Sequence, residues 1–239
     1  MNNRLLKVKS YFDKPDNYLK KNFDIKLRKK LVKNITGDIQ NARILDLGCG
    51  DGSISLQYQS ETNHITLVDI SENMLSIAKQ NSNSNFKKNI KFSQSNIENY
   101  HSEEKFDFII GLGILAHVES LEATINKISK LLKTSGTCIV QITDSNQIFS
   151  KLLAFYNFIL DNTFQPVGYN RNTISLHQII KISSNNSLKF IQSHQYSLML
   201  PGLIKFLPND LLYRYHSYIY NNKLLSKFGT DFILQFKKQ

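Results

Sequence analysis

The chain has 239 residues, 41% of them hydrophobic, and a net charge of +11, which suits one α/β domain with additions built round one sizeable core. Two cysteines, Cys49 and Cys138, are too few for a disulfide framework or a zinc cluster. No apolar run reaches the roughly 18 residues of a membrane span, and the first residues lack the apolar core of a signal peptide, so a cytoplasmic location is expected.

The charge is unevenly placed. Residues 1–35 carry 11 Lys/Arg against three Asp, and residues 201–239 carry six against two, leaving the centre near neutral. Pro15 and Asp16 read as a helix start, and Leu19, Phe23, Leu27 and Leu31 recur every four residues, which predicts one amphipathic helix through about residue 35. Lys20, Lys21, Lys26, Lys29, Lys30 and Lys33 cover its other faces. They read either as solvated surface or as a patch for an anionic substrate or a membrane surface.

Residues 44–56, ILDLGCGDGSISL, form an apolar run that stops at Gly48, Gly50 and Gly52. That pattern predicts a buried strand entering a tight turn, where glycine permits positive φ and lets a ligand lie against the peptide planes. A second strand is predicted over residues 65–68, ending in Asp69, with Ser71 as a helix cap. A carboxylate about 20 residues beyond a glycine turn suits a ribose diol. A dinucleotide fingerprint would need a third glycine where this chain has Ser53, and would set a pyrophosphate near Asp46, an awkward pairing of like charges. A sulfonium and an ammonium make Asp46 favourable instead.

DLGCGDG at 46–52 and VDIS at 68–71 resemble the first two motifs of the class I S-adenosylmethionine-dependent methyltransferases, and the likeness covers roughly residues 40–145. It implies an α/β, Rossmann-like fold: a seven-stranded, mostly parallel sheet with helices on both faces and an antiparallel last strand. The implied layout is an N-terminal helical cover (1–40), a cofactor-binding core (41–145), and substrate-cap helices, an insertion and the last two strands (146–239). S-adenosyl-L-methionine would be held by Asp46, Gly48, Cys49 and Gly50 in the first motif and by Asp69. Ile70 and Met74 would lie near the adenine, and Asn96, beside Ile97, would read its amino group. Gly111 and Leu112 would present backbone to the methionine part. In similar enzymes the segment before the first strand folds over the site, so Tyr11 and Tyr18, with Phe12, are candidates to line it.

Further strands are predicted over 90–95, 106–110 and 137–143, with a helix over 119–133 and a turn at 134–136. Residues 148–160 are apolar on almost every side and suit burial under a lid or a substrate pocket. A helix from Ser175 to about Ser183, strands over 188–196 and 231–236, and a tyrosine-rich insertion over 200–227 complete the chain.

Methyl transfer from a sulfonium is an in-line displacement, and a base helps only when the acceptor atom is protonated. His117 is the candidate base, since a His commonly stands at the corresponding place in similar small-molecule enzymes, although many use it to pack the next helix. Tyr169, Arg171 and His177 are candidates to hold an acidic or hydroxylated acceptor. GLGI at 111–114 lacks the signature of adenine-amino methylases of nucleic acids, and no Pro-Cys pair or acidic metal ligand follows the fourth strand, so no metal is expected. A small-molecule acceptor methylated at oxygen or nitrogen is the expectation. Methylation of tRNA or rRNA through the basic termini is the alternative, and a scaffold protein or a nicotinamide enzyme is more distant. The oligomeric state is not legible.

Overall fold

The computed structural model describes residues 3–20, 22–147, 149–152, 172, 174–198 and 207–239. Most of the apolar segment 148–160, Tyr169, Arg171, the side chain of Tyr18 and the first part of the insertion therefore lie outside the described residues.

Seven strands form one sheet in the order β3-β2-β1-β4-β5-β7-β6. They are β1 (Arg43–Leu47), β2 (His64–Asp69), β3 (Ile90–Gln94), β4 (Phe106–Gly111), β5 (Leu132–Thr143), β6 (Leu188–Tyr196) and β7 (Asp231–Lys238). β1 to β5 pair in parallel, while β7 runs antiparallel to both β5 and β6. Because side chains alternate across a strand, β5 feeds two cores. Cys138, Val140 and Ile142 face α5 (Leu121–Leu131) and α6 (Leu176–Asn185), whereas Ile139 faces α3 (Asn22–Thr36). α4 (Glu72–Asn81) packs on the α3 side through Leu75 and Ala78. Ile125 and Ile128 on α5 are fully buried, each stabilising the fold by about 1.5–3 kcal/mol. Serine caps start three helices: Ser71, Ser120 and Ser175 accept from the N–H groups of Met74, Ala123 and Gln178, each cap contributing about 1 kcal/mol.

Two expectations need correction. The single helix expected from Pro15 to about residue 35 is two, α2 (Pro15–Leu19) and α3, and a further helix, α1 (Asn3–Phe12), precedes them. Pro15 stands at the first position of α2, where its missing N–H costs nothing, and the Lys20 N–H closes that helix on the Asp16 carbonyl at 3.1 Å. A four-residue apolar period cannot register a break between Leu19 and Phe23. The turn expected at 134–136 is instead a bulge inside β5, which begins directly at Leu132. There Ser135 has φ 62° and the register against β4 shifts between Phe106 and Phe108. The described part of the insertion contains α7 (Asn209–Asn221), which packs on α3: Phe23 stacks on His216 with ring centroids 5.4 Å apart, and Asn209 Nδ2 donates to the Lys20 carbonyl at 3.1 Å.

Candidate functional site

Parallel strands that end together leave a crevice at their carboxyl edge, and helix α1 lies over this one. Ser71 Oγ donates to the Phe12 carbonyl at 3.2 Å, and Asn73 Nδ2 to the Asp13 carbonyl at 2.8 Å, tying the end of α1 to the start of α4. Arg4 donates to the Ala116 carbonyl at 3.3 Å, anchoring the other end. The cavity beneath has a volume of about 240 Å³ and runs from Asn96 after β3, past the glycine loop, to Gln141 on β5.

The loop after β1 takes positive φ at Gly48 (71°), Gly50 (55°) and Gly52 (75°). Gly48 and Cys49 donate to the Val68 carbonyl at 2.8 and 3.0 Å. Asp69 Oδ2 accepts from the Gly50 N–H at 2.9 Å, and Oδ1 from the Ser71 N–H at 2.8 Å. One carboxylate thus joins the two motifs while lining the cavity. Burial raises the Asp69 pKa, and its backbone hydrogen bonds pull the other way. Asp46 lies under the loop, 3% exposed. Burial, with the charges of Asp69 and Asp51, raises its pKa to about 7 against the opposing pull of the Ser55 hydroxyl. Its Oδ2 has no hydrogen-bond partner among the described residues. Three acids round one loop, one of them an orphaned buried carboxylate, suit a cationic ligand and disfavour a pyrophosphate. The site therefore fits a sulfonium cofactor carrying an ammonium.

Of the residues expected to bind the cofactor, Gly48, Gly50, Asp69, Ile70, Met74, Asn96, Ile97 and Leu112 line the cavity. Asp46, Cys49 and Gly111 do not. Asp46 and Cys49 are buried beneath the loop, and a Cβ on Gly111 would stand 3.3 Å from Ile114 Cγ2, so Ile114 covers that strand end. Asn96 Oδ1 already accepts from the Asn99 N–H at 2.7 Å, which leaves Nδ2 to donate to a ring nitrogen. Tyr11 and His117 line the cavity. The His117 ring sits edge-on to Phe12, with centroids 5.5 Å apart. Its loop is clamped by Asn172, whose Nδ2 donates to the carbonyls of Leu115 and Val118 at 3.1 and 2.7 Å. His177, a candidate for the acceptor, stands on the exposed face of α6 and does not line the cavity, because Ile179 and Ser183 turn the opposite face inward.

The sequence reading missed a polar wall formed by α3 and β5. Asp24 and Arg28 on α3 line the cavity as an ion pair with N···O 2.6 Å, and Arg28 Nε donates to the buried Tyr196 hydroxyl at 3.3 Å. Gln141 and Thr143 of β5 complete it, with Thr143 Oγ1 donating to Asp231 at 2.5 Å. The signals were present: an Asp and an Arg four apart on a lysine-covered helix, and a lone amide inside the apolar run of β5. None of α7, the described helix of the insertion, lines the cavity; it packs on α3 instead. Among the described residues no group of three or more His, Cys, Asp or Glu could hold a metal, and no helix is long and apolar enough to cross a membrane.

The parallel sheet with its reversed β7, the glycine loop and the acid after β2 define a class I S-adenosylmethionine-dependent methyltransferase. The sequence profile described as "Methyltransferase domain" matches residues 39–190, and the chain belongs to that family. The ubiquinone biosynthesis O-methyltransferase of Rickettsia conorii is 30% identical over 108 residues, which cover 45% of this chain and 37% of that protein. The enzyme of the same name from Pelagibacter ubique is 27% identical over 170 residues, covering 70% and 67%. The malonyl-[acyl-carrier protein] O-methyltransferase of Bacillus cereus is 29% identical over 128 residues, covering 53% and 46%. The chain thus spans between about a third and two thirds of the length of these relatives. Among solved structures, an S-adenosylmethionine-dependent methyltransferase from Thermotoga maritima, described as a possible histamine N-methyltransferase, superposes with a TM-score of 0.66 at 15% identity, covering 99% of this chain and 100% of that one. Magnesium protoporphyrin IX methyltransferase from Synechocystis, with bound S-adenosylmethionine, gives 0.66 at 15% identity, covering 100% and 99%. At such identities the likeness is one of fold.

Proposed function

We propose that the protein methylates an oxygen or nitrogen of a small molecule that enters the cavity under α1. The observation that carries this reading is the cover itself: α1 is hydrogen-bonded to the start of α4 and to the loop before His117, so an acceptor must fit beneath it. Relatives named as O-methyltransferases support the same reading.

Bound S-adenosylmethionine supplies a methyl group on a positively charged sulfur, which leaves with the electron pair of the broken S–C bond as a neutral thioether. The chain's residues hold and orient. Asp69 accepts from the ribose hydroxyls, Asn96 donates to the adenine, and the acids under the glycine loop favour the cation. Arg28, on the same cavity as Asp69, offers its guanidinium to the methionyl carboxylate, as a planar donor fork suits that group. His117 accepts the proton released as the acceptor's oxygen or nitrogen bonds to carbon.

Incubation with methyl-labelled S-adenosylmethionine and either a deproteinised small-molecule extract or total RNA tests the reading. Label in low-mass products is expected. Label only in RNA would contradict it and favour the basic ends as an RNA surface, with binding that weakens steeply with salt.

A further inference from the structure

Most polar side chains of the cavity are already engaged. Asp69 holds two backbone N–H groups, Asn96 holds one, Arg28 is paired with Asp24 and Tyr196, and Thr143 donates to Asp231. Gln141 differs. Its side chain lines the cavity and is 6% exposed, yet its Oε1 has no hydrogen-bond partner. Among the described residues it is the one cavity-lining side chain with such a buried orphan. An unpaired buried carbonyl is costly and unusual, and β5 offers no structural reason for it. The neighbouring residue on the same face, Ile139, is a fully buried apolar side chain.

The sheet order says which ligand meets this amide. Asp69 ends β2, and β5 lies three strands away in the sequence β2-β1-β4-β5, a separation of about 14 Å at the usual strand spacing. Ribose and adenine belong at the β2 and β3 end, with Asp69 and Asn96. An in-line displacement puts the acceptor on the side of the methyl group away from the sulfur, and Gln141 stands at the end of the same cavity away from Asp69 and Asn96.

The geometry points to Gln141 as the residue that selects the methyl acceptor, by pairing its amide with a hydroxyl or N–H group on that molecule. This rests on the small-molecule reading above. The acceptor class it defines is a compact molecule bearing a neutral hydrogen-bond donor, and an analogue without that donor would leave the amide unsatisfied and be rejected.

Three measurements on Gln141→Met, which keeps the side chain's length and removes its amide, test the assignment. The unfolding temperature of the ligand-free protein is expected to rise by about 2–4 °C, because the orphan is gone. A fall, or failure to fold, would make the amide structural and overturn the inference. The dissociation constant of S-adenosylhomocysteine is expected to stay within about twofold, whereas a tenfold loss would assign Gln141 to the cofactor. With S-adenosylhomocysteine saturating, ligand-observed NMR should show phenol binding about three- to tenfold tighter than toluene in the wild type, the net worth of one neutral hydrogen bond. That preference should vanish in the variant. No preference in the wild type, or one that survives the substitution, overturns the proposal. Label transferred only to RNA would fail the small-molecule reading in its own assay, so the two failures are distinguishable.

Discussion

Replacing Asp69 by Asn separates ligand binding from loop support, since this carboxylate serves both. In the ligand-free protein it accepts from the Gly50 and Ser71 N–H groups at 2.9 and 2.8 Å. Asparagine keeps one of these bonds and turns an NH2 group towards the other donor, forfeiting one charge-assisted bond of about 1.5–3 kcal/mol. Burial already raises the carboxyl pKa despite its hydrogen bonds, so removing the charge returns part of that loss. The net change in stability should be only about 1 kcal/mol. Ribose hydroxyls lose a charged acceptor with no such offset, so affinity for S-adenosylhomocysteine should fall by about 1.5–3 kcal/mol, roughly 12- to 150-fold. Titration calorimetry of Asp69→Asn, beside urea unfolding of the same sample, reads both. An affinity within about twofold of wild type, in a variant that remains folded, would refute the ribose assignment.

At Gly52, φ is 75° and an added Cβ would stand 2.8 Å from Leu56 Cδ1, so Gly52→Ala should cost about 2 kcal/mol or more in denaturant unfolding, from left-handed strain plus overpacking. Arg28→Ala should weaken S-adenosylhomocysteine by about tenfold or more while leaving 5′-methylthioadenosine, which lacks the amino-acid part, almost unchanged; equal losses would remove the carboxylate role. Burial lowers the His216 pKa to about 4, while Asp24 raises it. Since the unfolded pKa is near 6.5, the unfolded chain binds the proton first on acidification. Stability from this group is therefore present above about pH 6.5 and lost as pH falls towards about 4, by at most about 3 kcal/mol. His216→Phe should flatten that part of the curve in urea unfolding at about pH 7.5 and about pH 4.5, and an unchanged slope would contradict the assignment.

What the sequence disclosed was chiefly local. Three alternating glycines and an acid at a strand end carry their backbone geometry with them, and the period-two runs of β6 and β7 located those strands closely. Ser71 was legible as a cap because a hydroxyl before a helical period has one obvious use. Gly111 and His177 were assigned by resemblance or proximity along the chain, yet Ile114 covers the first and α6 turns the second to solvent. Arg28 and Asp24 went unassigned, because only the packing of α3 turns their face into a cavity wall. Gln141 went unassigned for the same reason. Periodicity gives the side of an element on which a residue lies, and the packing of the other elements determines whether that side meets a core, solvent or a ligand.

The most direct test of the site assignment is the structure of the protein with S-adenosylhomocysteine bound. The account predicts the ribose diol on Asp69, the adenine beside Asn96 and Met74, and the methionyl carboxylate within hydrogen-bond reach of Arg28, with Gln141 left facing open space for the acceptor. A ligand whose amino-acid part fills the space at Gln141, or whose ribose lies away from Asp69, would contradict it.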